Sequence, residues 1–148
     1  MARFEVLREV ARLYVRQQRE AVACCEGTSL TQCWILTELG RAGAMTLGDL
    51  ARAIGFDKSW TSRAVDALVA ERLVIKRIAG DDARKVRLTL SASGRERFRS
   101  VSESLDAHAR RVLQRVPAGK RRAVQDALEL LHDALRGELA GDEVACAN

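Results

Sequence analysis

Between Thr46 and Leu90 the chain carries two short amphipathic segments and then two β-like runs, an order few folds accommodate. Thr46 is a good helix N-cap, and Asp49 stands three positions on, where a capping box places its acid. Leu47, Leu50, Ala51 and Ile54 repeat at helical spacing up to Gly55, which reads as a stop. After Phe56, Asp57 caps a second segment reaching about Arg72, with Thr61, Val65, Leu68 and Val69 as its inner stripe. Leu73-Val74-Ile75-Lys76-Arg77 and Lys85-Val86-Arg87-Leu88-Thr89-Leu90 then flank Gly80-Asp81-Asp82-Ala83-Arg84, a polar tip suited to a hairpin.

Helix, tight turn, helix and hairpin together read as a helix-turn-helix with a wing. Long amphipathic segments surround it. Residues from about 3 to 23 place Phe4, Leu7, Ala11 and Tyr14 at helical spacing, and Cys24-Cys25-Glu26-Gly27-Thr28 reads as a turn. A helix from Ser29 or Leu30 carries Trp34, Ile35 and Leu36 and is expected to end at Gly40. Beyond the hairpin, about Ser93 to Arg115 puts Phe98, Val101, Leu105 and Val112 on one stripe until Pro117 interrupts it. A last helix from about 119 to 139 aligns Val124, Leu128, Leu131 and Leu135, with a frayed tail after Gly141. The expected fold class is mainly α with a small β wing. Within 1–148 as a single domain, a winged helix-turn-helix (about 30–92) lies between dimerisation helices (about 3–23 and 93–139). At 148 residues one real core is feasible, and 4% aromatics leave it to Leu, Val and Ala, which favours helices.

The net charge of +5 suggests an anionic partner, and Arg outnumbers Lys, which suits forked contacts to phosphate and guanine. The second helix of the pair opens Asp57-Lys58-Ser59-Trp60-Thr61-Ser62-Arg63. Its N-terminus favours negative charge through the helix dipole. Lys58, Ser59, Trp60, Ser62 and Arg63 point away from the inner stripe and toward a major groove, with Arg63 the expected base reader and Lys58 a phosphate contact. Double-stranded DNA is the expected partner. There is no bilayer-length apolar run, and Met1-Ala2-Arg3-Phe4-Glu5 is not a signal peptide, so a cytoplasmic location and no membrane partner are expected.

The stretch from about Thr31 to Phe98 resembles MarR-type regulators. The resemblance is carried by Leu30-Thr31-Gln32, by Leu50-Ala51-Arg52-Ala53-Ile54-Gly55, and by Asp57-Lys58-Ser59 with Ser62-Arg63-Ala64-Val65-Asp66-Ala67-Leu68. Asp82-Ala83-Arg84 and Leu90-Ser91-Ala92-Ser93-Gly94 complete it. It implies a homodimer whose terminal helices interlock, binding a pseudo-palindromic operator, usually as a repressor. It also implies that Arg84 enters the minor groove with Asp82 bracing it. Two departures stand out: Arg72 where the family often has Gly, and Trp60 in place of a smaller residue, which either contacts DNA or packs on the wing.

Three of the four cysteines, Cys24, Cys25 and Cys33, lie within ten residues. The turn after the first helix is expected to bring Cys33 toward Cys24 or Cys25. Converging thiolates suit soft ions such as As(III), Sb(III), Cd(II), Pb(II), Hg(II) and Zn(II), or an iron–sulfur cluster. Zinc-sensing MarR-type members look similar here, drawing ligands from the end of the first helix and from the position matching Cys33. Trp34, Ser100 and Val101 stand where their other ligands would be, which points from zinc toward a softer, all-thiolate set. Cysteine oxidation, with Cys33 closing a disulfide, is the rival use, and core packing without a sensory role the third. A small phenolic or aromatic acid inducer is the alternative signal. Cys146 is expected to be inert, and His108 and His132 to be partly buried and hydrogen-bonded. No paired carboxylates, Ser/His/Asp set or phosphate loop stands out, so a regulator is expected and not an enzyme. A thiol metal carrier or redox enzyme on the same fold is the weaker alternative.

Overall fold

The computed structural model describes residues 5–22, 27–78 and 86–145. In order they form α1 (Glu5–Val22), α2 (Leu30–Ala42), β1 (Met45–Thr46), α3 (Leu47–Ile54), α4 (Lys58–Ala70), β2 (Val74–Ile78), β3 (Val86–Leu90), α5 (Ala92–Gln114), a 3-10 turn (Ala118–Lys120) and α6 (Arg121–Ala145). The three strands make one antiparallel sheet in the order β1-β3-β2. This is the expected fold class: mostly helical, with a small sheet. The chain divides into two compact units, Met1–His108 and Ala109–Asn148.

In the first unit, α2 begins with a full capping box. The Ser29 hydroxyl accepts from Gln32 N at 3.2 Å, and Ser29 N donates to Gln32 Oε1 at 2.9 Å. The helix does not stop at Gly40. It runs to Ala42 and is capped by Gly43 at φ 79°. Gly40 is needed for packing: a Cβ there would meet the Phe98 ring at 2.6 Å. Burial of Ile35, Leu36 and Leu39 joins α2 to Leu50 of α3, Val65 and Leu68 of α4, and Leu73, Val74, Leu88 and Leu90 of the sheet region.

The β2–β3 pairing matches the expected hairpin, with Val74 opposite Leu90 and Ile78 opposite Val86. β1 is not foreseen in the sequence. It is two residues long and exists by pairing Met45 with Leu88 and Thr46 with Arg87. Arg72 adopts φ 60°, the left-handed conformation that explains why glycine suits this position. The chain then turns so that Leu73 O accepts from Ser91 N at 3.0 Å and Arg72 O from the Ser91 hydroxyl at 2.7 Å. The same hydroxyl accepts from Gly94 N at 2.9 Å, capping the start of α5.

In the second unit the 3-10 turn leads into α6. Arg121 donates to Val116 O at 2.9 Å and to Gln114 O at 2.7 Å, tying the turn after Pro117 back onto the end of α5. α6 continues through Gly141 to Ala145, where a frayed tail was expected. Its leucine face is open, with Leu128 and Leu135 each 48% exposed.

Candidate nucleic-acid interface

The α3–α4 corner is built by short-range caps. Thr46 Oγ1 accepts from Asp49 N at 3.1 Å and donates to the Asp49 carboxylate at 2.7 Å. That second bond, with the charge of Arg52, holds the Asp49 carboxyl below its ordinary range. Gly55 closes α3 at φ 73°, and Phe56 N donates to Ala51 O at 3.1 Å. The Asp57 carboxylate accepts from Trp60 N at 2.8 Å to start α4, and a cap of this kind contributes about 1 kcal/mol. Thr61, Val65 and Leu68 are buried beneath the helix, as the inner stripe requires. Thr61 is satisfied by donating to Asp57 O at 2.8 Å.

With that stripe fixed, the opposite face of α4 is presented outward. Lys58, Ser59 and Arg63 are exposed, and Trp60 and Ser62 half-buried. Among the described residues neither Lys58 nor Arg63 has an ion-pair partner. Two unneutralised cations thus stand within the first two turns, where the helix dipole also favours anions. The face one turn further on is different: Asp66 pairs with Lys76 of β2 and clamps the helix to the wing.

Trp60 is turned onto protein. Its ring stacks on Phe56 with centroids 4.4 Å apart, and Phe56 in turn stacks on Trp34 of α2 at 5.6 Å. At the far end of the helix, Gln32 Nε2 donates to the Glu71 carboxylate at 2.8 Å.

Asp82 and Arg84 lie outside the described residues. The described part of the wing offers a pair that inspection of the sequence misses. Arg77 and Arg87 are directly opposite across β2 and β3, both exposed. Like charges facing each other across a strand pair are unfavourable unless an anion lies over them. Counting back from the polar tip to assign the register would have revealed this pair.

Of the cysteine cluster, Cys24 and Cys25 lie outside the described residues, as does Cys146. Cys33 is fully buried against Val101, with Leu30 and Leu105 alongside. Among the described residues no group of three His, Cys, Asp or Glu side chains is placed to hold a metal. His108 is buried as expected, but its Nε2 lacks a hydrogen-bond partner among the described residues. The Tyr14 ring of α1 lies tilted beside it, at 5.9 Å between centroids. His132 differs from expectation: its side chain is 62% exposed and bonds Asp133 at 3.1 Å. Its helix face has no cover within the second unit.

A cleft of about 750 Å³ lies between the end of α2 and the start of α5, lined by Leu39, Gly43, Leu90, Arg95, Phe98 and Arg99 among others. Among the described residues no helix is long and apolar enough to cross a membrane.

Comparison with known proteins agrees with this geometry. A family model described as the MarR family matches residues 26–85. An uncharacterized HTH-type transcriptional regulator of Bacillus subtilis, YdgJ, is 28% identical over 104 residues, which is 70% of this chain and 63% of that protein's length. A MarR family transcriptional regulator from Silicibacter pomeroyi superposes with a TM-score of 0.75 at 26% identity, covering 90% of this chain and 86% of that one. Wild-type MarR from E. coli shares the fold, with a TM-score of 0.78 at 16% identity over 88% of this chain and 97% of its own. The chain has a winged helix fold matching that of MarR-type regulators, and residues 26–85 match the MarR family model.

Proposed function

We propose that this protein is a homodimeric, sequence-specific DNA-binding transcriptional regulator acting in the cytoplasm, not an enzyme. The observation that carries the reading is the outer face of α4. Lys58 and Arg63 lack ion-pair partners there among the described residues, on a helix locked to the core by Thr61, Val65 and Leu68. The opposed Arg77 and Arg87, one pair below the last described pair of the wing, support the same reading. The open apolar face of α1 (Val6, Leu7, Val10, Leu13 and Tyr14) and that of α6 each support a second copy as their cover. Two such heads would meet major grooves about 34 Å apart on a pseudo-palindromic operator.

Binding is tested on a duplex recovered from a randomised pool. Arg63→Ala is expected to cost about 1–3 kcal/mol and to relax preference at one position of each half-site. Lys58→Ala is expected to weaken all sequences alike and to lower the slope of log affinity against log salt by about one per phosphate released. Equal losses on every sequence from Arg63→Ala would remove it as base reader.

Arg77→Glu separates wing stability from DNA affinity. It replaces a facing repulsion by an attraction, so the free protein is expected to gain about 0.2–1 kcal/mol in a denaturant melt. DNA affinity is expected to fall. A gain in both would show that no anion lies over Arg77.

The signal we propose is a soft metal ion, a metalloid such as As(III), or an iron–sulfur cluster, held by Cys24, Cys25 and Cys33. Its support is three thiols within ten residues and the place of Cys33 where α2 packs on Val101 and Leu105 of α5. Because Cys33 is buried, loading requires the start of α2 to move, and that motion is what reaches DNA. Cys33→Ser is expected to abolish release of DNA by As(III) or Cd(II) while leaving ligand-free binding within about twofold. Normal release by Cys33→Ser would discard the thiol site. Oxidation of the same thiols is checked by adding peroxide in the same titration. The cleft beside Phe98, Arg95 and Arg99 favours one further reading, a small aromatic acid as inducer.

A further inference from the structure

The recognition helix is held by α2 at both of its ends. At its N-terminal turn, Trp60 stacks on Phe56 and Phe56 stacks on Trp34, with centroids 4.4 and 5.6 Å apart and interplanar angles of 26° and 28°. At its C-terminal cap, Glu71 accepts from Gln32 at 2.8 Å. Between these points Val65 and Leu68 are buried in the same core as Ile35 and Leu36. The rings lie within the distances at which offset aromatic stacks are favourable. Phe56 sits in the α3–α4 turn itself, so the column passes through the corner that sets the direction of α4.

The column also bears on how Trp60 can act. One face of its indole is covered by Phe56, and the side chain is half-buried. Its backbone N–H is taken by Asp57. A side chain so held is poor at reaching a base edge and well placed to fix the turn that carries Lys58, Ser59 and Arg63. Trp34 follows Cys33 in α2, and the two side chains face different neighbours: Cys33 the α5 residues Val101 and Leu105, Trp34 the Phe56 ring in the α3–α4 turn. Any rotation of α2 therefore displaces the far end of the column.

We infer that Trp34, Phe56 and Trp60 form a positioning column for the recognition helix, and that Trp60 contributes to operator choice through this column, without touching a base. The inference rests on the DNA-binding reading above. It assigns a role to two residues, Trp34 and Phe56, that lie off the DNA-facing surface of α4.

The chain has only two tryptophans, Trp34 and Trp60, so the column has its own optical signal. In a Trp34→Phe background, Trp60 is the sole indole. Adding Phe56→Leu is expected to reduce the near-UV circular dichroism of that indole and shift its emission, without DNA and with far-UV helicity unchanged. An unchanged spectrum would mean the stack does not form, and would overturn the column. The DNA arm uses the full-length protein and a duplex that the wild type recovers from a randomised pool. Trp34→Leu, which keeps an apolar side chain but removes the stacking face, is expected to lower the ratio of specific to non-specific affinity about tenfold. Its salt slope should be unchanged, because no phosphate contact is lost. Trp34→Phe and Trp60→Phe, which keep an aromatic ring, are expected to stay near the wild-type ratio with the same base preferences. A folded Trp34→Leu protein with the wild-type ratio would overturn the inference. So would Trp60→Phe changing preference at a single base pair, which would make Trp60 a direct reader. If the wild type enriches no sequence at all, the DNA-binding reading fails, and the column's role in operator choice falls with it.

Discussion

Gly94→Ala is expected to destabilise the first unit by more than about 3 kcal/mol, a large part of the 5–15 kcal/mol that holds a typical domain folded. The reason is local and steric. A Cβ at Gly94 would collide with the carbonyl oxygen of Leu73, a backbone atom that cannot rotate away. That oxygen is already engaged, accepting from Ser91 N at 3.0 Å. Relieving the clash would separate the start of β2 from the start of α5 and break the bonds Ser91 makes to Leu73, Arg72 and Gly94. Overpacking against mobile side chains costs about 1–3 kcal/mol, and an immovable carbonyl raises this further. In a thermal melt the variant should lose more than about 10 °C. Gly119→Ala is the matched control, because a Cβ there meets nothing within 4 Å. A Gly94→Ala protein melting within a few degrees of wild type would show that β2 and α5 are not locked together in this way.

The second large effect concerns assembly. Leu128 and Leu135 lie two turns apart on α6, each 48% exposed, in line with the half-buried Val124 and Leu131. Placing a charge at both, as Leu128→Glu with Leu135→Glu, is expected to convert the proposed dimer, twice 16.3 kDa, into a 16.3 kDa monomer in light scattering. Burying an ionised carboxylate at an apolar contact without a partner is too costly to sustain the interface. A monomer engages one half-site only. It forgoes the high effective concentration that ties the second head to the first, so operator affinity should fall by about a hundredfold or more. Single-head contacts and the secondary structure should be retained. A double variant that stays dimeric would move the interface off this face of α6.

Much of the reading head was legible because it is specified over a few residues at a time. Thr46, Gly55 and Asp57 act on backbone groups within four positions, and each does what its residue type implies. The inner stripe of α4 was legible for the same reason, since helical spacing alone separates Thr61, Val65 and Leu68 from Lys58, Ser59 and Arg63. What was not legible depends on partners distant in sequence. Gly40 reads as a helix stop, because glycine in a helix interior costs about 1 kcal/mol, yet it is retained so that Phe98 can close on α2. Met45 and Thr46 are too few to signal a strand and become one only against Leu88 and Arg87. Helical spacing places Trp60 on the outer face of α4, and only the fold adds that its ring stacks on Phe56, which in turn stacks on Trp34. The facing arginines Arg77 and Arg87 needed the hairpin register, and His132 needed knowledge of which α6 face is open.

In the proposed function the outer face of α4, presented by a dimer, reads DNA sequence. The most direct measurement is the affinity of the wild-type protein for a duplex enriched from a randomised pool, set against a scrambled duplex, across a salt series. We expect an enriched sequence with two related half-sites whose centres are about one helical turn apart. Affinity should fall steeply with salt on both duplexes, with a specific-to-scrambled ratio of about a thousandfold or more. Equal affinity for the two duplexes at every salt concentration, or no enrichment at all, would contradict the proposed function.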